Sequence, residues 1–234
     1  MNIIVVENAQ QGAEKAFELF EKAYQHGAKH YGLATGSTPI ELYTLIRHSN
    51  LDFSNCYSIN LDEYIGLSPE DEHSYRYFME QHLFNTKPFK ESFVPNGLEQ
   101  DEQTEISRYE TLLKQYPIDL QILGLGTNAH IGFNEPGTSF EERTHKVQLA
   151  EATIQANQRF FEKKEDVPTH AYSMGLQSIM DAKEIILMAF GKAKAQAIKD
   201  LVEGPITESV PASILQKHER VTIIIDKDAA ELLN

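Results

Sequence analysis

Apolar runs of strand length recur along this chain, and stretches with helical spacing separate them. Asn2–Val6, Tyr31–Ala34, Cys56–Leu61, Leu120–Leu125, Ala171–Met174, Glu184–Phe190 and Val221–Ile225 read as strands. Gln10–His26 repeats Ala13, Phe17, Phe20 and Tyr24 at helical intervals, and Thr38–Arg47 does so with Leu42, Leu45 and Ile46. Ser74–Phe84, Glu102–Gln115 and Gly191–Val202 also read as helices. Strands that alternate with helices imply a mostly parallel sheet covered on both faces. The expected fold is therefore α/β: three layers, Rossmann-like, with helices on both sides of a central sheet. Ligands of such sheets bind beyond the carboxyl ends of the strands, so the residues just after each strand are where chemistry is sought.

The chain of 234 residues, 41% of them hydrophobic, is enough for one core, and residues 1–234 read as a single domain. The polar segment 139–170, with Phe160 and Phe161 inside it and Pro168 near its end, reads as loop and short helix able to serve as a lid. No apolar run approaches the ~20 residues of a membrane span. Met1–Val6, followed at once by Glu7, is too short for a signal peptide. The lone Cys56 cannot form an intrachain disulfide and reads as a buried small hydrophobe, which fits a cytoplasmic protein. A net charge of −14 argues against nucleic acid or membrane as partner. It also repels phosphorylated metabolites at long range. A phosphate ligand would need a local trap of backbone N–H groups, a helix N-terminus and a few placed cations.

Three strand ends carry candidate chemistry. The first is Leu33-Ala34-Thr35-Gly36-Ser37-Thr38-Pro39-Ile40, where a strand turns into a helix that begins near Pro39. Thr38 is the expected N-cap, Gly36 permits close backbone approach, and the Thr35, Ser37 and Thr38 hydroxyls with free N–H groups suit a phosphate. An ordinary strand-to-helix corner accounts for these residues equally well, and the Gly-Lys-Ser/Thr ending of a Walker loop is absent. The second is Asn60-Leu61-Asp62-Glu63-Tyr64, an apolar strand ending in two acids. Neighbours on an extended segment point opposite ways, so at most one faces a crevice. A desolvated Asp62 can act as a general base, while a capping or salt-bridging Asp is the plainer alternative.

The third is the glycine-rich stretch Leu123 to Gly137. Gly124, Gly126 and Ala129 match the loose dinucleotide-binding spacing, but Gly132, Pro136 and Gly137 oppose the helix that motif requires, and the acid about 20 residues on is missing. What remains is a loop holding Asn128, His130 and Glu135. His130 can move a proton near neutral pH, and Glu135 can orient its ring. A loop histidine without a task is the alternative. No second His or Cys lies at metal-ligand spacing, so no metal is expected. Arg159 sits in the polar segment. Lys192 and Lys194 follow Gly191 at a helix start, where a cation opposes the helix dipole and so hints at an anionic ligand.

Together these segments resemble the glucosamine-6-phosphate deaminase family, along essentially the whole chain. The most specific parts are Thr35-Gly36-Ser37-Thr38-Pro39, Asn60-Leu61-Asp62-Glu63-Tyr64 and Gly126 through Pro136. The resemblance implies conversion of glucosamine 6-phosphate and water to fructose 6-phosphate and ammonia, a deaminating isomerisation with no cofactor. It implies that Asp62 moves a proton between carbons 2 and 1, that His130 opens the pyranose ring, and that Glu135 is its charged partner. It assigns Thr35, Gly36, Ser37, Thr38, Arg159 and Lys194 to the phosphate. Asn128 stands where longer members have Asp; it hydrogen-bonds but adds no negative charge. The chain stops at Asn234, without the tail linked in longer members to assembly and activation, so the resemblance implies no need for an amino-sugar activator. The oligomeric state stays open between a monomer and a small homo-oligomer. A 6-phosphogluconolactonase-like hydrolase and a non-catalytic sugar-phosphate sensor are the rival readings.

Overall fold

The computed structural model describes residues 1–158, 161, 163 and 166–234. In chain order its strands are β1 (Asn2–Val6), β2 (His30–Leu33), β3 (Tyr57–Asn60), β4 (Asp62–Tyr64), β5 (Glu91–Phe93), β6 (Leu120–Gly124), β7 (His145–Gln148), β8 (His170–Ser173), β9 (Ile185–Ala189) and β10 (Val221–Asp226). Its α-helices are α1 (Ala9–Gln25), α2 (Ile40–His48), α3 (Tyr75–Met79), α4 (Glu102–Gln115), α5 (Glu151–Gln158), α6 (Leu176–Met180) and α7 (Ala195–Val202). A π-helical turn, Glu80–Phe84, continues α3.

Seven strands form one sheet in the order β1-β10-β9-β6-β2-β3-β5, and every neighbouring pair is parallel. The reason is visible in β9, whose five residues are all buried. Its Ile185, Leu187 and Ala189 enter a core shared with α4, α6 and α7. Ile186 and Met188 enter the opposite core, shared with α1 and α2. The strand alternates between two apolar layers, so it reads as an unbroken apolar run. Each isoleucine buried this way contributes roughly 1.5–3 kcal/mol. The expected three-layer architecture is the observed one.

A second sheet, β4-β8-β7, is antiparallel and was not expected. It places β8 beside β4, with β7 on the far side of β8. The 139–170 segment thus holds a strand and the helix α5 rather than loop and short helix alone. Among the described residues no helix is long and apolar enough to cross a membrane.

The large sheet reverses its winding between β2 and β6. From β2 the chain moves outward to β3 and β5; from β6 it moves the other way to β9 and β10. Such a switch point opens a crevice at the carboxyl edge. Four adjacent strands, β9, β6, β2 and β3, end there, across a width of about 14 Å at ~4.8 Å per strand.

Candidate active site

Asp62 opens β4, two residues after the last residue of β3, Asn60. Leu61 between them is tied on both sides: its N–H donates to Leu33 O (3.1 Å) and its carbonyl accepts from Met174 N–H (2.8 Å). The Asp62 residue is 7% exposed. A methyl group built on Gly132 would lie 3.7 Å from its Oδ2. Its carboxylate therefore faces the loop that follows β6. Among the described residues, no hydrogen bond or ion pair engages it. Burial, with a smaller contribution from the Glu63 charge, pushes its pKa up to about 8.

Glu63 points the other way. Its Oε1 accepts the N–H groups of Tyr64 (2.8 Å) and Tyr75 (2.9 Å), and its Oε2 accepts that of Arg76 (2.8 Å). Burial raises its pKa to about 7 against the pull of those hydrogen bonds. The two adjacent acids are thus sorted by strand alternation, one into the crevice and one into the start of α3.

The loop after β6 folds on itself. Gly126 N–H donates to His130 O (2.9 Å) and Ala129 N–H to Gly126 O (3.0 Å). Ala129 adopts φ 65°, a strained conformation for a residue with a Cβ, and its carbonyl accepts from Ala212 N–H (3.0 Å). His130 Nδ1 then lies 2.7 Å from Asn128 Oδ1 and 3.2 Å from Glu135 Oε1. Asn128 Nδ2 donates to Glu135 Oε2 (2.6 Å). A carboxylate only accepts, so the Asn128 amide must turn its NH₂ toward Glu135 and its oxygen toward the ring. That oxygen also only accepts. Nδ1 therefore carries the proton, and Nε2 of the neutral ring keeps its lone pair. The His130 and Asn128 contacts hold the Glu135 carboxyl below the usual range, against its partial burial.

The turn after β2 borders the same edge. Gly36 has φ 89°, which suits glycine. α2 begins at Ile40 with Pro39 as its N-cap residue and no side-chain cap, so the expected capping role of Thr38 is not observed. A long turn bond at the corner runs from Ile40 N–H to Ser37 O at 3.4 Å. Among the described residues, no acceptor meets the N–H groups of Gly36, Ser37 and Thr38, and no partner engages the Thr35, Ser37 and Thr38 hydroxyls.

The two lysines separate. Lys192 reaches outward to Glu231 (3.0 Å). Lys194, the N-cap residue of α7, sends Nζ to Leu125 O at the end of β6 (2.6 Å), and burial pushes its pKa down. Arg159 lies outside the described residues.

Two supports were not anticipated. Asp226, at the end of β10, accepts Gly191 N–H on both carboxylate oxygens (2.9 and 3.0 Å) and so holds the turn that launches Lys194. Applying the strand-end rule to the run Val221–Ile225 would have pointed to it. Ser173 Oγ accepts Phe133 N–H (3.1 Å) from its place opposite Asp62 in the small sheet. Nothing in the local pattern marks that serine. Two depressions of about 880 Å³ lie away from this edge. One is at the amino ends of β9 and β10; the other lies behind Glu63, between Arg76 and Arg108. Asp62, His130 and Lys194 line neither of them.

A family model described as glucosamine-6-phosphate isomerases/6-phosphogluconolactonase matches residues 6–224. The chain belongs to this family. Within the isomerase/lactonase family, a glucosamine-6-phosphate deaminase of Streptococcus uberis is 57% identical over 234 residues, covering 100% of both chains. One of Streptococcus sanguinis is 59% identical over 233 residues, covering 100% of this chain and 99% of its own. A solved monomeric glucosamine-6-phosphate deaminase superposes with TM-score 0.92 at 41% identity, covering 99% of this chain and 100% of its own. A 6-phosphogluconolactonase from Trypanosoma cruzi, 18% identical with TM-score 0.81 over 100% of this chain and 97% of its own, shares the fold alone.

Proposed function

We infer that the chain is a glucosamine-6-phosphate deaminase of amino-sugar metabolism, converting glucosamine 6-phosphate and water to fructose 6-phosphate and ammonia. The observation that carries the reading is the buried Asp62 carboxylate, facing the same loop that presents the His130–Asn128–Glu135 group. The full-length likeness to deaminases supports it.

The turn Thr35–Thr38 and Lys194 hold the substrate's phosphate. Unpaired N–H groups and hydroxyls donate to its oxygens, and a half-buried ammonium gains the anion its surroundings lack. Anchoring at that end makes the later proton transfers effectively intramolecular. Nε2 of His130 takes the proton from the anomeric hydroxyl and delivers it to the ring oxygen, and the ring opens. Glu135 stabilises the imidazolium formed in passing. Asp62 removes the proton from carbon 2 while the substrate's ammonium gives one of its protons to the carbon-1 oxygen, forming an enolamine, and Asp62 then returns its proton to carbon 1. Water adds to the resulting carbon-2 imine and ammonia leaves. A carboxylate in a dry site is a stronger base than one in water, and a pKa near working pH suits a group that must both take and return a proton. Each step is acid–base chemistry and calls for no metal or organic cofactor.

Lactone hydrolysis needs an activated water and no shuttle between two carbons, so the placement of Asp62 favours the deaminase. The solved relative is a monomer, and a monomeric state is expected here, checked by sedimentation. A coupled assay for ammonia and fructose 6-phosphate tests the main reading. Hydrolysis of 6-phosphogluconolactone without ammonia release from glucosamine 6-phosphate would overturn it.

A further inference from the structure

We propose that Glu63 is a positioning residue for this reaction: seated on the N–H groups of Tyr64, Tyr75 and Arg76, it locks β4 against α3 and so aims Asp62 at the Gly132 loop. The inference rests on the deaminase reading and deepens it.

β4 has three residues and pairs on one side only, with β8. So short an edge strand does not by itself fix which way its side chains point. Glu63 supplies what is missing. It is 2% exposed, and its two oxygens take the first two N–H groups of α3 along with that of Tyr64. Ser74 takes the next two: its Oγ accepts Tyr77 N–H (3.0 Å) and its carbonyl accepts Phe78 N–H (3.0 Å). The orphan donors of the first turn are thereby used up. With Glu63 pinned on one face, strand alternation leaves Asp62 one direction, toward Gly132.

The same helix steadies the target. The Tyr75 ring stacks on Phe133, next to Gly132, with centroids 6.2 Å apart and planes 7° from parallel, and its hydroxyl donates to Tyr64 Oη (3.1 Å). Base and loop are therefore both referenced to α3. Glu63 also acts through its charge, which disfavours ionisation of Asp62. The other groups facing the pair are Tyr75 from α3 and Tyr109 from α4, with Asp71 and Arg76 beside Glu63 itself.

Three variants of the full chain test this, each followed through kcat, KM and the pH profile of kcat/KM with glucosamine 6-phosphate. Glu63→Gln removes the charge and turns a donor toward Arg76 N–H. Its kcat should fall about 10- to 100-fold. KM should stay within about threefold, and the acid limb should move to lower pH by about one unit. Glu63→Asp keeps the charge but shortens the reach, so kcat falls and the limb stays. Ser74→Ala removes the other cap and leaves kcat within about threefold and the limb in place. The substrate's own ionisations are common to all, so differences between limbs belong to the enzyme. Wild-type kcat in Glu63→Gln, or a lowered kcat with an unmoved limb, reduces Glu63 to a helix cap and overturns the proposal. If Glu63→Gln does not fold by circular dichroism, wild-type kcat in Glu63→Asp overturns it instead. A wild-type chain that releases no ammonia sinks the deaminase reading; an active wild type with indifferent Glu63 variants sinks only this inference.

Discussion

The imidazole of His130 lies against the α-carbon of Gly126, so closely that a methyl group at 126 would sit 2.4 Å from two ring atoms. Glycine is required there by contact with the ring. Gly126→Ala must push the ring off its hydrogen bonds to Asn128 and Glu135. A displacement near 1 Å costs about 100-fold in a positioned reaction, so kcat/KM is expected to fall about 10- to 100-fold. Steady-state kinetics check this; unchanged kcat/KM would remove His130 from the chemistry.

Asp62→Asn keeps the shape of the proposed base and removes its capacity to take a proton. Turnover is expected to fall by at least about 10²–10⁴-fold, the usual worth of a general base. Binding of substrate, measured by calorimetry, should survive, because the proposed phosphate contacts lie on other strands. Near-normal turnover would show that another group moves the proton.

The same variant should be more stable than the wild type in alkali. Asp62 has a pKa of 3.8 when solvated and about 8 in the fold. Between those values the folded chain keeps a proton that the unfolded chain releases. Its contribution to stability is full below the lower value and lost as pH rises through the upper one. Glu63, raised from 4.5 to about 7, adds a slope of the same sign. Asn at 62 has no such slope. Stabilities of ligand-free protein should lie closest below pH ~4 and draw apart as pH rises, by about 4–6 kcal/mol near pH ~9, the variant being the more stable. A gap that does not widen with pH would contradict the burial argument.

Lys194→Ala should act on binding more than on turnover. The proposed charge-assisted contact to phosphate would be lost, so KM is expected to rise about tenfold or more with kcat changed less. Asp226→Ala should repeat this split more weakly, since it releases the Gly191 turn but leaves the lysine in place. An equal fall in kcat and kcat/KM for Lys194→Ala would mean that the lysine meets the transition state alone.

The large sheet was legible because parallel strands buried on both faces must be apolar throughout, as Ile185–Ala189 is. β5 and β7 escaped for the opposite reason. Glu91-Ser92-Phe93 is a short edge strand, and His145–Gln148 is exposed at alternate positions with Val147 as its one aliphatic residue. β4 escaped because two of its three residues are acids that tertiary contacts bury. The loop from Gly126 to Glu135 was readable because glycines gathered around Asn128, His130 and Glu135 do little for packing and suit proton transfer. Ser173, and the division of labour between Asp62 and Glu63, depend on partners distant in the chain, such as Phe133 and Tyr75. Thr38 was misjudged because Pro39 itself takes the N-cap position.

The small antiparallel sheet has one more implication. The proposed phosphate anchor belongs to the seven-stranded platform, whereas the proposed base rides on a three-residue strand of a different sheet. Grip and reaction are thus separable parts of the molecule. Rewriting that short strand would change what happens to a captured sugar phosphate while leaving its capture intact, which is how one scaffold can be shared by proteins with unlike chemistries.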